Sequence, residues 1–283
     1  MTDRTPLESV VGISPFHEPA ARLVAAVDAA GGFGVLDLGR GDRDVRDELE
    51  LAVRWTAGSF GVRMGAGCAI RPAELPEQVD LVVVETPSDL AVGRRMLVEV
   101  TSLREARIAA AAGAYGVIAR GHEAGGRVGE LSSFVLLQQL VAELDLPIWV
   151  CGGIGPQTAA AALVGGAAGV VLDSQLALLP EADTHSAVAA AVAAMDGSET
   201  VIRDGYRVLN SRLLPTPQDH VTDLGARDPH TQWVPVGQDG FLAAEFAGRH
   251  TDVAGVVRAI RSAMGDTCGA GVARTLAPGS VLA

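Results

Sequence analysis

Aromatic residues are scarce in this chain, at 4% of 283 residues, although hydrophobic residues of all kinds make up 48%. A core must therefore be built from Ala, Val, Leu and Gly, which suits an α/β protein whose small residues let helices lie close to strands. Cysteine is equally sparse. Cys68, Cys151 and Cys268 are odd in number, widely spaced and without metal-ligand spacing, which argues against a disulfide framework and favours a reducing cytoplasm. The N-terminus has polar Thr2, Asp3 and Arg4 but no apolar h-region, and no run reaches the ~20 residues of a membrane span. Positive charge is not in excess either. The formal net charge is -12, which argues against nucleic acid or an anionic membrane as the main partner. The expectation is a soluble cytoplasmic protein.

What is present is alternation. Apolar runs at 10–14, 34–38, 60–64, 79–85, 96–100, 116–120, 147–151 and 169–172 read as eight strands. Helical patterns lie between most of them. One starts at Pro19 with Leu23, Val24 and Val27 inward; another spans 42–55 with Val45, Leu49, Ala52 and Val53 inward. Ser102 and Glu105 form a capping box for a third helix. A fourth, 133–144, places Phe134, Leu137, Val141 and Leu144 on one face, and a fifth runs from Pro156 through Val164. Eight such units by about residue 175 predict a compact (β/α)8 barrel, with an open doubly wound parallel sheet as the alternative.

Beyond residue 196 the texture changes. The barrel is assigned to 1–196, and 197–283 to a small C-terminal appendage or lid. The appendage reads as a strand at 201–209, a loop broken by Pro215, Pro217, Pro229 and Pro235, and helices near 239–249 and 253–264. Its end, Leu276 to Ser280, resembles a linker, as in a piece excised from a larger protein.

In such a barrel, chemistry sits at the carboxyl ends of the strands, and a phosphate commonly binds after strands seven and eight. The loop Gly121 to Gly129 follows strand six, and its four glycines permit positive φ and close backbone approach to a ligand. Within it, His122 is a candidate proton carrier and Arg127 a candidate anion stabiliser. Gly152-Gly153 follows strand seven and Asp173-Ser174 follows strand eight, which makes both candidate phosphate contacts. His17 lies just past strand one. Cys151 reads as a small core residue.

Several stretches carry a family resemblance: Thr101 to Ala106, Ala112 to Ala114, Gly121 to Gly126 with its Glu-Ala-Gly-Gly element, and Pro147 to Ile154. In this order and spacing they resemble the FMN-dependent nitronate monooxygenase family, which includes flavin enoyl reductase domains of polyketide and polyunsaturated fatty acid synthases. The resemblance covers roughly residues 10–180. It implies FMN at the barrel mouth, with Ser14, Arg63, Arg120, Glu123, Gly125, Gly126, Gly152, Gly153, Asp173 and Ser174 as cofactor contacts. It implies a nitronate or an acyl-carrier-bound enoyl thioester as substrate, NADPH as a possible reductant, and neighbouring synthase domains as partners. His122 and Arg127 would then be the catalytic pair.

The same resemblance exposes departures. Arg127 stands where the family has its catalytic histidine, Ile13-Ser14-Pro15 replaces Ala-Pro-Met, Arg63 replaces asparagine, Arg120 replaces glutamine, and Asp173-Ser174 replaces Gly-Thr. Arg63, Glu85, Glu99 and Arg120 all fall near the ends of strands three to six, where charge is costly unless paired. Either they contact a polar cofactor, or they pair with one another and fill its space. The second outcome describes a barrel that kept its fold and serves as a scaffold or docking domain without flavin.

Overall fold

Eight apolar strands need a cover on both faces, and closing the sheet on itself supplies one of them. The computed structural model describes residues 7–39, 43–65, 67–87, 93–217, 221 and 224–269. In it, β1 (Val10–Ile13), β2 (Phe33–Asp37), β3 (Phe60–Met64), β4 (Val79–Val84), β5 (Arg95–Val100), β6 (Gly116–Arg120), β8 (Ile148–Cys151) and β9 (Gly169–Leu172) form a closed parallel barrel. The two-residue strand β7 (Gly126–Arg127) lies outside it. Closure is explicit: Val10 pairs with Val170 and Gly12 with Leu172. The open-sheet alternative is therefore set aside. The linker-like Leu276 to Ser280 lies outside the described residues.

Side chains alternate inward and outward along each strand. The outward set, including Leu36, Val62, Val82, Val98, Val117 and Val150, packs in one core with the surrounding helices. The inward set, including Val11, Phe33, Val35, Leu97, Ile118 and Trp149, fills the barrel. At the amino end, Trp149 donates its indole N–H to the Glu8 carbonyl at 3.1 Å and stacks on Tyr115 at 6.2 Å between centroids. Two residues further along β2, β5 and β6 than Val35, Leu97 and Ile118 come Asp37, Glu99 and Arg120. The same alternation that makes an apolar floor thus produces a charged ceiling.

The helices are α1 (Ala21–Ala29), α2 (Arg43–Trp55), α3 (Leu103–Ala111), α4 (Ser133–Glu143), α5 (Pro156–Val164), α6 (Ser186–Ala193), α7 (Leu242–Arg249) and α8 (Val253–Gly269). In α4 the buried face is Ser133, Leu136, Leu137 and Leu140, whereas Val141 is 41% exposed. The helix is apolar nearly all round, so its pattern permits two faces, and the barrel selects one. Ser102 caps α3 by accepting from the Glu105 N–H at 3.3 Å. The Glu105 carboxylate reaches Thr101 N at 2.8 Å, one residue earlier than a standard capping box. Ser102→Ala is expected to cost about 1 kcal/mol of stability, read from urea unfolding; no change would mean that Glu105 alone secures this end.

Beyond the last barrel strand the chain does two things. The strand expected over 201–209 is a hairpin, β10 (Thr200–Arg203) and β11 (Tyr206–Leu209), turning at Asp204-Gly205 with φ of 51° and 82°. Asp-Gly is a strong two-residue hairpin signal. β11 pairs antiparallel with β7, bringing the segment over the glycine loop. α8 packs on α5 and α1, and its stripe Val253, Val256, Val257, Ile260 and Met264 joins the main core. Val188, Val192, Leu209, Val234, Val236 and Ala243 gather with Phe16 into a third cluster above the mouth. Among the described residues, no helix is long and apolar enough to cross a membrane.

Candidate functional site at the barrel mouth

The charged ceiling is an ion network centred on Glu99, which is fully buried. Arg63 grips it with a fork: Nε donates to Oε1 at 3.1 Å and Nη2 to Oε2 at 2.8 Å. Arg120 donates Nη1 to the same Oε1 at 2.8 Å and Nη2 to the Gly125 carbonyl. Arg63 also reaches Asp37 at 2.9 Å and Glu85 at 3.3 Å. Burial alone would raise the Glu99 carboxyl, but Arg120 and Arg63 together outweigh it and hold it well below the usual carboxylate range. Bidentate geometry of this kind is the arrangement in which buried charges are tolerated.

Over this network sits the loop after β1. Phe16 and His17 have φ of 61° and 59°, a conformation that costs a side-chain-bearing residue free energy. Burial of Phe16 in the third cluster offsets that cost. The His17 Nδ1 lies 2.8 Å from Arg63 Nη1. Nε2 lies 3.2 Å from the same Nη1, and because a guanidinium can only donate, the ring meets it as an acceptor through its unprotonated nitrogen. Burial and then Arg63 push this histidine down to about 4, so it is neutral at physiological pH. Ser14 is buried, with its hydroxyl accepting from Asp37 N at 3.1 Å.

The glycine loop is held from several sides. The His122 ring meets the Gly129 carbonyl at 2.8 Å, and Arg207 donates to the His122 carbonyl at 2.8 Å. Arg127 pairs with Glu105 at 2.9 Å and donates to the Glu99 carbonyl at 2.8 Å. The two candidate catalytic side chains thus answer to different partners. Glu123 accepts from Ser133 N at 3.0 Å and from the Ser133 hydroxyl, capping α4. A Cβ on Gly125 would lie 2.7 Å from Gly237 N. What approaches this glycine is the chain's own Val236-Gly237 segment.

The turn after β8 converges on one atom. Gly152 and Gly153 have φ of 104° and 70°, which only glycine adopts readily. The Gly153 and Ile154 N–H groups donate to Asp239 Oδ2 at 2.8 and 3.4 Å, and Gln175 Nε2 donates to it at 2.7 Å. Asp239 is only 4% exposed, and its Oδ1 has no partner. Burial and the neighbouring Asp173 push its carboxyl up to about 7. Asp173 itself accepts from Ser174, through the backbone N at 2.5 Å and the hydroxyl at 3.1 Å. Cys151 lies beneath, its thiol raised well above its ordinary value by burial and Asp173, which keeps it unreactive. Asp239 carries no local sequence signal for this position; it reaches the turn from 86 residues further along the chain.

FMN needs a slot for its ring and a pocket of donors for its phosphate. The mouth cavity, bordered by Ser14, Phe16, His17, Arg63, Arg120 and Asp173, has a volume of about 20 Å³, room for a water molecule. The turn that would hold a phosphate holds the Asp239 carboxylate instead. A flavin ring with its ribityl phosphate does not fit this arrangement. Among the described residues no cluster of His, Cys, Asp and Glu is disposed to hold a metal.

The nitronate monooxygenase family model matches residues 80–230, more than half of the chain. The (3aS,4S,5R,7aS)-5-hydroxy-7a-methyl-1-oxo-octahydro-1H-indene-4-carboxyl-CoA dehydrogenase of Rhodococcus jostii is 28% identical over 241 residues, covering 75% of this chain and 67% of that protein. A nitronate monooxygenase of Pseudomonas aeruginosa is 33% identical over 135 residues, covering 44% of this chain and 38% of that one. Among solved structures, a mutant FabK from Thermotoga maritima superimposes with a TM-score of 0.77 at 24% identity, over 93% of this chain and 94% of that one. That likeness is one of fold.

Proposed function

Since this chain belongs to the nitronate monooxygenase family, a family of oxidoreductases, we propose that it is a member whose barrel works without flavin, as a structural or docking unit. One observation carries the reading. The chain's own groups stand where the family resemblance would put the cofactor: Asp239 in the turn after β8, and Arg63, Glu99 and Arg120 across the mouth. Arg63 has every N–H facing an acceptor within this network, and opening it would expose unpaired buried charge.

A second reading is favoured by the turn itself, where three N–H donors already converge on one carboxyl oxygen. In it the chain is an FMN-dependent oxidoreductase of nitronate monooxygenase or enoyl reductase type, within a synthase, acting on a nitronate or an enoyl thioester. Gly152, Gly153 and Ser174 would then hold the phosphate, with Ser14, Arg63, Arg120, Glu123, Gly125, Gly126 and Asp173 around the rest. His122 and Arg127 would be the candidate proton and anion groups. That arrangement requires Asp239 and the Phe16-His17 loop to leave.

Titration of the purified full chain with FMN, followed by flavin fluorescence, separates the two. The expected result is a colourless protein with no saturable quenching up to about 1 mM FMN, a concentration at which even a binding free energy of ~4 kcal/mol would register. Saturation in the micromolar range would defeat the flavin-free reading.

A further inference from the structure

The hairpin that lies over the glycine loop leaves one strand edge open. In its three-stranded sheet β11 is the middle strand and β10 an outer one. The Asn210 N–H donates to the Glu199 carbonyl at 2.8 Å, so Glu199 and, by alternation, Val201 and Arg203 direct their backbone groups at β11. The N–H and C=O of Thr200 and Ile202 therefore point out of the sheet, where no described strand pairs with them. Natural edges are blunted by lysine, proline, a bulge or shortness. Of these β10 has shortness alone: it reads Thr-Val-Ile-Arg, in unbroken register with β11. Thr200, Val201 and Ile202 are β-branched, the residue types that favour strand pairing, and Ile202 is 39% exposed.

We infer that β10 is a pairing edge for the β10 of a second copy of this chain, in an antiparallel two-fold contact that sets Val201 opposite its own equivalent. Hydrogen-bonded pairs across such an edge must match outward-facing residues with one another. The register centred on Val201 uses both of them, Thr200 with Ile202 and Ile202 with Thr200. It also places Glu199 opposite Arg203 at each end, so that opposite charges face across the contact. Centring on Thr200 or Ile202 instead loses that match and sets an outward-facing residue against Ser198 or Asp204. Arg203 is braced at its end by stacking over the Trp233 ring, 4.9 Å from the centroid. A second copy fits because an isologous contact demands that one segment carry both complementary halves, and this one does. A net charge of -12 opposes self-association elsewhere on the surface, so local complementarity decides where copies meet. The inference is independent of the flavin-free reading, which FMN titration tests by itself.

A contact this small is weak, so the test is sedimentation of the full chain from about 1 to 200 µM. The parent is expected to rise from the mass of one chain, 29.0 kDa, toward twice that value. Ile202→Pro removes an N–H that points at the edge and spares the hairpin's own bonds, and is expected to stay monomeric throughout. Glu199→Lys and Arg203→Glu each set like charges opposite one another, and each alone is expected to associate at least about tenfold more weakly. Mixed in equal amounts, these two variants restore opposite charges at both ends, and the mixture is expected to regain the parent's association. A parent that stays monomeric, or a dimer that Ile202→Pro leaves unchanged, overturns the inference. Should Ile202→Pro fail to fold, the charge variants decide alone: a mixture that associates no better than its components overturns it.

Discussion

Replacing Glu99 with glutamine is expected to lower the stability of the barrel by about 3–5 kcal/mol, the usual consequence of taking one member from a buried ion group. For a chain of this size that is a fall in Tm of roughly 10 °C. The size of the effect follows from sharing. A single carboxylate neutralises the fork of Arg63 and the Nη1 of Arg120, and all three side chains are at most 5% exposed. Glutamine keeps the volume but offers one weak acceptor, leaving two guanidinium groups facing each other in a medium of low dielectric. Asp37 still pairs with Arg63 at 2.9 Å, so Arg120 is left the more exposed to the loss. Arg120→Met with Glu99→Gln should recover part of the stability, because it removes the stranded charge. A loss below about 1 kcal/mol for Glu99→Gln would mean that water reaches the guanidinium groups, and that the mouth is open enough to admit a ligand.

The pH dependence of stability is expected to contain two opposing contributions that separate only in variants. His17 has its folded value depressed from 6.5 to about 4, by burial first, then by Arg63 and, more weakly, Arg120; Asp37 and Glu99 oppose the shift. Between these values the unfolded chain takes up a proton that the folded chain refuses. Stability present above pH 6.5 is thus lost as the pH falls to about 4, by on the order of 3 kcal/mol. Asp239 is shifted the other way, from 3.8 up to about 7, by burial and Asp173. Here the folded chain holds the proton, so stability is full below pH 3.8 and is lost as the pH rises through about 7. The two nearly cancel between pH 4 and 6.5. Asp239→Asn removes the second and unmasks the first: urea unfolding of this variant should show stability falling steadily from pH 6.5 to 4. His17→Gln should show the reverse slope. Parallel profiles for the parent and both variants would contradict the burial of both groups. Below pH 4 the loss of charge on Glu99 adds a further fall, since its folded value lies beneath its ordinary 4.5.

Much of the fold follows from local pattern. The runs at 79–84 and 116–120 are buried on both faces, and a run of that kind has few stable settings other than a covered parallel strand. Gly152-Gly153 ahead of Pro156 marks a strand-to-helix turn because φ above zero and a proline at the first helical turn each have one inexpensive use. The hairpin at Asp204-Gly205 was equally open to reading, but the apolar run on either side of it favours a single strand. The face of α4 was not open to reading, because its pattern fits two faces.

The site divides along the same line. Arg63, Glu85, Glu99 and Arg120 near the ends of adjacent strands follow from strand register, since residues two apart point the same way and strands in a barrel carry their carboxyl ends to one rim. That they should meet each other, and not a cofactor, depends on distances across the barrel, and no sequence spacing encodes these. Asp239 lies further still from any local signal. It stands at the start of the helical stretch expected over 239–249, where nothing local points to a turn 86 residues earlier, and it matters because β11 pairs with β7 and draws the chain before it over the mouth. By itself, then, the sequence determined the barrel, the rim on which chemistry would sit and the residues of that rim, because periodicity and φ preference are local properties of the chain. Only the tertiary structure decided who occupies the rim, because pairing among buried charges is settled by geometry between strands and loops far apart along the chain.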